Sequence, residues 1–262
     1  MQDLTVSIIS HEHRDYIPRC LESLFEHTSE IDFEVHLVLN MSEDGFANQV
    51  SRSFPQVKVL KNPSPVGFSE NNNRIYSATR SRYFLLLNPD TVLLNNALDR
   101  LVAFLDAHSD AAVCGPRLLY PDGRLQLNCR YFPSLGSVVL RRTPLRALFP
   151  YSRIARDYTL AEWDHRSVRE VDWIFGAFLM VRRSAVDAVG PLDEGYFMFC
   201  EDIDWCYRLK RAGWKIYYVP DAVAQHDLND DSYNRFLGTH RMIHYRSMYR
   251  YWRKNMLFRK GT

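Results

Sequence analysis

Apolar residues in the first half of the chain gather into short runs, and between the runs they thin out into amphipathic stretches. Strands are expected at Leu4–Ser10, Phe33–Leu39, Val57–Leu60 and Tyr83–Leu87, and another begins at Ala112–Cys114. Helices are expected in the intervals, at Tyr16–His27, Asp44–Phe54, Phe68–Thr79 and Asn95–His108. Strands alternating with helices in this way predict an α/β fold, an open, doubly wound, mostly parallel sheet. Such sheets take ligands in the crevice beyond the carboxyl ends of their strands. Those ends carry Ser10 and His11, then Asn40, then Asn88-Pro89-Asp90. No GxGxxG follows the first strand and no P-loop pattern occurs, so the usual nucleotide fingerprints are absent.

In the second half an apolar run, Tyr196–Cys200, delivers Glu201, Asp202 and Asp204 to the first turn of a helix expected at Asp202–Ala212. Ile203, Cys206, Leu209 and Ala212 recur along one face of that helix, and Gly213 stops it. Acidic residues in a first turn cap the helix and complement its dipole, which is one reading of all three. The other reading is chemical. It rests on their company, the Asn-Pro-Asp after a strand upstream and His226 at the end of another strand downstream.

Composition fits an ordinary enzyme. The chain has 262 residues, 46% hydrophobic and 24% charged, with no Gly/Ser-rich hinge or repeat, so residues 1–231 are read as a single domain. Within it, residues 1–115 form a nucleotide half and 116–231 an acceptor and catalytic half. Five cysteines without a CxxC suggest neither a disulfide framework nor a zinc site; they read as buried, reduced thiols of a cytoplasmic protein. No stretch is long and apolar enough to span a membrane, and the N-terminus lacks a basic signal-peptide region.

Charge changes this picture at the C-terminus. Ser232–Thr262 holds eight Lys or Arg and no acid, so a net charge of +2 leaves the rest of the chain at −6. Met242, Tyr245, Met248, Tyr249, Trp252 and Met256 interleave with the charges. This pattern predicts an amphipathic helix in the headgroup region of an anionic membrane, placing the protein peripherally on the inner face of the cell membrane. A solvated helix with an apolar core face fits the same composition. Nucleic acid does not, given the acidic body and the lack of any nucleic-acid-binding motif.

The ordered segments SIISHEHRDYIPRCLESL, VGFSENNNRIYSA, YFLLLNPDT, DWIFGAFLMVRR and GPLDEGYFMFCEDIDWCYRLKRAGW, with a closing His, resemble glycosyltransferase family 2, the inverting transferases of the GT-A fold. The likeness spans nearly the whole chain. LNPD, GPRLLYPDGRLQLNCRYFPS and EDIDWCYRL further resemble bacterial rhamnosyltransferases of O-antigen and cell-wall linker assembly, whose donor is dTDP-L-rhamnose and whose acceptor is a GlcNAc-diphospho-polyprenol.

The resemblance implies roles that the chemistry can be checked against. A departing nucleotide diphosphate calls for a cation, Mg²⁺ or Mn²⁺, held by a carboxylate and the substrate's own phosphates. Asp90 and His226 match the ligand positions, and Asn88 stands where many relatives carry the first Asp of an Asp-x-Asp pair. Asp202 matches the base that takes the acceptor's proton in a single displacement, with Glu201 orienting the acceptor. Trp173 and Gly176 suggest an aromatic surface for a sugar beside backbone that allows close approach. Ser10, His11 and Asn40 are donor-side candidates. Many relatives read the nucleotide base with an Asp before this Asn; here that position is Leu39, so Asn40 is expected to offer its amide to a uracil or thymine edge, leaving dTDP and UDP both open.

The basic, aliphatic segment Arg130–Tyr158, with Arg141, Arg142, Arg146 and Arg153 among leucines, reads either as a surface loop and helix or as a lid near a lipid diphosphate. Two other classes share parts of this pattern. A nucleotidyltransferase lacks its Gly-rich phosphate loop here. A non-catalytic nucleotide-sugar-binding protein has no need of the acidic cluster, Asn-Pro-Asp and His226 together. A family 2 transferase using another UDP- or dTDP-hexose stays open.

Overall fold

Tyr83–Leu87 is an uninterrupted apolar run because it is a strand covered on both sides. Leu85 and Leu87 join one buried cluster with Leu4, Val6 and Ile8, whereas Phe84 and Leu86 join a second with Ile9 and Val38. Side chains alternate across a strand, so two-sided burial demands apolar residues at every position. The computed structural model describes residues 2–11, 13–40, 44–134, 157–227 and 239–257. The Arg-rich part of the expected lid, 135–156, lies outside the described residues, as do Met41–Glu43 and the start of the basic tail, 232–238.

The expected alternation is present as β1 (Gln2–His11), α1 (Ile17–Glu26), β2 (Phe33–Asn40), α2 (Asp44–Ser53), β3 (Val57–Asn62), α3 (Phe68–Ala78) and β4 (Ser81–Leu87). One strand was missed. β5 (Thr91–Leu94) follows Asn-Pro-Asp directly, and α4 (Ala97–Ala107) starts later than expected because Asn95 and Asn96 take left-handed φ values of 45° and 56°. Asn tolerates that conformation, so the pair makes a turn out of β5. The chain continues through β6 (Ala111–Leu119), β7 (Leu125–Gln126), β8 (Cys129–Arg130), β9 (Arg169–Glu170), β10 (Trp173–Ile174), β11 (Phe178–Arg182) and α5 (Arg183–Val189). It closes with α6 (Glu201–Arg211), β12 (Lys215–His226) and α7 (Thr239–Trp252), the last running into a π-helical turn at Arg253–Leu257.

The main sheet has the order β3-β2-β1-β4-β11-β6-β12-β5, with β7 beside β6 and β9 beside β12; β8 and β10 form a small separate ribbon. Its first four strands are parallel, and their register aligns His11 with Asn40 and Asn40 with Asn62, so their polar ends share one edge. β11 runs antiparallel between β4 and β6, so the sheet is mixed towards its C-terminal side. All five cysteines are free and buried. Among the described residues no helix is long and apolar enough to cross a membrane.

The C-terminal helix α7 packs against the body of the chain. Tyr251 is fully buried in the second cluster, the Ser247 hydroxyl donates to the Met198 carbonyl at 2.8 Å, and Tyr207 donates to the Asn255 carbonyl at 3.2 Å. Arg250 and Lys254 pair with Asp193 at 2.7 and 2.8 Å. Burial pushes the Asp193 carboxyl up, but its bonds to Arg250 and Lys254 outweigh that and hold it well below the usual carboxylate range. Asp204, fully buried, accepts from Arg208, Lys254, Asn255 and Tyr196. It is the anchor of α7 rather than a cap of α6.

Removing a partner from such a buried ion network leaves the remaining charges uncompensated, which costs about 3–5 kcal/mol. Asp204→Ala is therefore expected to lower the urea-unfolding free energy by roughly that amount. An unfolding midpoint equal to that of the native sequence would contradict the anchoring role.

Candidate active site

The crevice edge is assembled by the strand that sequence reading missed. β5 pairs antiparallel with β12 so that Thr91 lies opposite His226. This register sets Asp90 beside the end of β12, where its carbonyl accepts from the Asp227 amide at 2.9 Å. His226 Nε2 lies 3.3 Å from Asp90 Oδ1 and 3.4 Å from Asn88 Nδ2. Its Nδ1 lies 2.8 Å from the Gln126 side-chain oxygen. His226 and Gln126 are each only 2% exposed, and Asp90 Oδ1 is buried with no hydrogen-bond donor among the described residues.

A buried carboxylate oxygen without a donor, facing an imidazole, suits a divalent cation. Among the described residues no cluster of three or more His, Cys, Asp or Glu side chains could hold a metal, so a cation at Asp90 and His226 would need further ligands such as phosphate oxygens. Gln126 was not singled out from the sequence. It lies within the segment YPDGRLQLNCRYFPS, but nothing local distinguishes it from its neighbours.

The acidic pair stands at the turn into α6. Phe199 and Cys200 take left-handed φ values of 69° and 68°, turning the chain sharply into α6. Asp202 Oδ1 accepts from the Ile203 amide at 2.8 Å and Oδ2 from the Gly176 amide at 3.0 Å. Glu201 is 7% exposed, and its Oε2 has no partner among the described residues. Burial, reinforced by the charge of Asp202, pushes the Glu201 carboxyl up to about 8. Burial also raises Asp202, against the two backbone amides and the charge of Arg130, which favour its ionised form. Two adjacent buried carboxyls do not both ionise easily. The amides of Gly176 and Ile203 favour the charge on Asp202, whereas burial and the charge of Asp202 favour the proton on Glu201.

The cation-type cluster and the acidic pair are joined by one stretch of backbone. Gly176 donates to Asp202, and the next carbonyl, that of Ala177, accepts from the Asn88 amide at 2.9 Å. A side chain at Gly176 would meet Asp202 and Phe68 only at ordinary contact distances of 3.7–3.9 Å. Within the protein, then, Gly176 matters for its amide rather than for the space it leaves.

Two expected substrate contacts, Trp173 and Asn40, are otherwise engaged. Trp173 is 5% exposed, and its indole N–H donates to the Tyr131 carbonyl at 2.9 Å, so it is a core residue and not an open sugar platform. Tyr131 is itself exposed, as is Phe197, whose carbonyl accepts from the Phe68 amide. Asn40 is buried: its oxygen accepts from Asn62 at 2.7 Å and its nitrogen donates to the Val66 carbonyl at 3.2 Å. Asn62 also donates to Asn71, which donates in turn to Val66 and Gly67, so Asn40 braces the entry to α3 instead of presenting its amide to a base. Ser10 is buried at the end of β1, whereas His11 is exposed there.

A family model described as "Glycosyltransferase like family 2" matches residues 2–240. An N-acetylglucosaminyl-diphospho-decaprenol L-rhamnosyltransferase of Mycobacterium tuberculosis is 30% identical over 259 residues, covering 94% of this chain and 82% of its own length. The rhamnosyltransferase WbbL of Escherichia coli K12 is 28% identical over 265 residues, covering 94% and 91%. Among solved structures, the Pyrobaculum calidifontis mannosyltransferase PcManGT with GDP-Man and Mn²⁺ superposes with a TM-score of 0.64 at 14% identity, over 100% of this chain and 68% of its own. GalNAc-T7 with UDP, GalNAc and Mn²⁺ gives 0.63 at 15% identity over 87% of this chain, which spans 44% of that larger one.

The raised pKa of Glu201 has a measurable consequence of definite sign. A carboxyl whose folded value exceeds its unfolded one stabilises the fold fully below the unfolded value and loses that contribution as pH climbs towards the folded value. For Glu201 that window runs from 4.5 to about 8. Stability is therefore expected to decline across this range, and Glu201→Gln to flatten the decline. Parallel pH–stability curves from chemical unfolding would refute the assignment.

Proposed function

The chain belongs to the glycosyltransferase like family 2 and has the GT-A fold, and on that premise we propose that it is an inverting, metal-dependent rhamnosyltransferase moving L-rhamnose from dTDP-L-rhamnose to a GlcNAc-diphospho-polyprenol lipid. The observation that carries the catalytic reading is the Gly176–Ala177 segment, which holds Asp202 on one side and the Asn88–Asp90 turn on the other. Base and leaving-group ends thus meet across one piece of backbone. The sugar rests on the named activities of the relatives from Mycobacterium tuberculosis and Escherichia coli and the lipid acceptor on that of the former, together with the resemblance of the LNPD and YPDGRLQLNCRYFPS segments to rhamnosyltransferases.

Asp202 takes the proton from the acceptor hydroxyl as that oxygen attacks the anomeric carbon, and the sugar inverts in a single displacement. The amides of Gly176 and Ile203 orient its carboxylate and favour the ionised form a base requires. Glu201, holding its proton at neutral pH, presents a hydroxyl to the acceptor or donor sugar. A Mg²⁺ or Mn²⁺ held by Asp90 and His226 would supply positive charge to the departing diphosphate. With Asn40 committed to the protein, base recognition falls to other groups, and discrimination between dTDP and UDP is expected to be weaker than discrimination among sugars.

The acceptor is a lipid, and α7 is the element suited to meet it at the inner face of the cell membrane. Its inward face is the anchored one. Its outward face exposes Met242, Tyr245 and Tyr249, at 56%, 45% and 65%, together with Arg246 and Arg253. Aromatic and apolar side chains among guanidinium groups suit an anionic headgroup layer.

The transfer reading is tested by released nucleotide, with purified protein, a GlcNAc-diphospho-lipid acceptor and a panel of UDP-, dTDP- and GDP-sugars. dTDP-L-rhamnose is expected to give the highest kcat/KM, and Asp202→Asn to lower kcat by about 10²–10⁴ while dTDP affinity survives. Full turnover in Asp202→Asn would remove the base; faster transfer from UDP-glucose, UDP-galactose or UDP-GlcNAc would overturn the sugar and leave the family intact.

The membrane reading is tested without truncation, since the helix is part of the core. Changing Met242, Tyr245 and Tyr249 together to Ser is expected to weaken binding to anionic vesicles about tenfold at unchanged thermal stability, with residual binding falling as salt rises. Vesicle binding equal to that of the native sequence would exclude this face.

A further inference from the structure

We propose that Gln126 is a positioning residue of the cation site: its side-chain oxygen fixes His226 in the Nδ1–H tautomer and so aims the Nε2 lone pair towards Asp90. The proposal rests on the reading of Asp90 and His226 as cation ligands and adds to it the group that makes His226 able to ligate.

The two ring nitrogens of a neutral imidazole have opposite needs, one donating and one accepting. At 2.8 Å from Nδ1 lies the Gln126 oxygen, which only accepts. At 3.4 Å from Nε2 lies the Asn88 side-chain nitrogen, which only donates. Both partners require the same tautomer, with hydrogen on Nδ1 and a lone pair on Nε2. Nε2 then has no hydrogen to offer Asp90 Oδ1, 3.3 Å away, and that oxygen is buried without a donor among the described residues. Two electron-rich atoms are left facing each other, which is costly unless they share a cation.

The fold holds Gln126 to this task. It lies on the two-residue strand β7, opposite Leu118 of β6, and is 2% exposed. Two residues on, Asn128 ties the same segment to the Pro116 carbonyl at 3.0 Å. The Gln126 amide nitrogen is buried with no acceptor among the described residues, so no other hydrogen bond dictates how the amide is turned. His226 does. Were both side-chain amides reversed, an Nε2–H would close onto Asp90 as a purely structural pair with no lone pair left for a metal. The two arrangements differ by one proton position, which can be observed directly.

The experiment uses the full chain with ¹⁵N-labelled histidine and no added metal, read by long-range ¹H–¹⁵N correlation, and in parallel calorimetric binding of dTDP with and without Mn²⁺. His226 is expected as the Nδ1–H tautomer in the native sequence. Gln126→Met should move the proton to Nε2 and weaken Mn²⁺-dependent dTDP binding by about 10–100-fold, whereas Gln126→Glu, which keeps an acceptor, should stay within about threefold. An Nε2–H tautomer in the native sequence, or an Nδ1–H tautomer retained in Gln126→Met, overturns the proposal even if dTDP binding depends on Mn²⁺. If dTDP binding ignores Mn²⁺ while the tautomer is as expected, the cation reading itself has failed and the proposal falls with it.

Discussion

Three consecutive residues, Phe175, Gly176 and Ala177, hold the candidate active site together. The Phe175 amide donates to the Asn128 carbonyl at 2.9 Å, the Gly176 amide to Asp202 at 3.0 Å, and the Ala177 carbonyl accepts from the Asn88 amide at 2.9 Å. The stretch itself is fixed at its far end, because β11 begins at once and pairs Phe178 with Leu87. Backbone groups have no rotamers to lose, so contacts made this way tie three distant segments at little cost in side-chain entropy. The β7–β8 segment that carries Gln126, the α6 turn that carries Glu201 and Asp202, and the Asn88–Asp90 turn all take their positions from it.

Placing two carboxyls side by side where one is almost wholly buried works against folding, and the structure shows how the conflict is contained. Asp202 accepts from the amides of Gly176 and Ile203, whereas the Glu201 oxygen Oε2 has no partner among the described residues. An isolated ionised carboxylate in that position would be very expensive, so burial favours the protonated form of Glu201. The surroundings thus push the two carboxyls apart without any difference in residue type beyond a methylene. Sites that break local rules of stability in this way are where function is expected to lie.

The sheet was legible because burial on both faces writes itself into consecutive residues, as in Tyr83–Leu87, and needs no long-range information. β5 was not legible. Thr91–Leu94 is only four residues long and sits between Asn-Pro-Asp and an Asn pair whose left-handed turn cannot be told from a helix start by pattern alone. Asp202, Asp90 and His226 stood out in the sequence by their places at a helix mouth and at strand ends, and the roles expected of them came from the resemblance to glycosyltransferase family 2. The engagements of Asn40 and Trp173 were not legible, since Val66, Asn62 and Tyr131 meet them only through tertiary contacts. Gln126 is the extreme case: its partner is one hundred residues away and its own surroundings in the sequence are ordinary. The basic tail was counted correctly as charge, but the acids that take up Arg250 and Lys254 belong to the body of the chain.

That last pairing bears on how chemistry and anchoring share one short helix. Asp202 and Asp204 are two residues apart on α6, which turns them roughly 200° from one another about its axis. One side of the helix mouth therefore looks to Gly176 and the crevice, and the other to Arg208, Lys254 and Asn255. An α-helix transmits such a constraint stiffly, because its backbone bonds fix each turn to the next. The grip of α7 on Asp204 thus also limits how far Asp202 can swing, and the Gly176 amide opposes it from the other side. Held from both directions, the candidate base has little freedom except at its own side-chain torsions, which is the condition a proton transfer of fixed geometry requires.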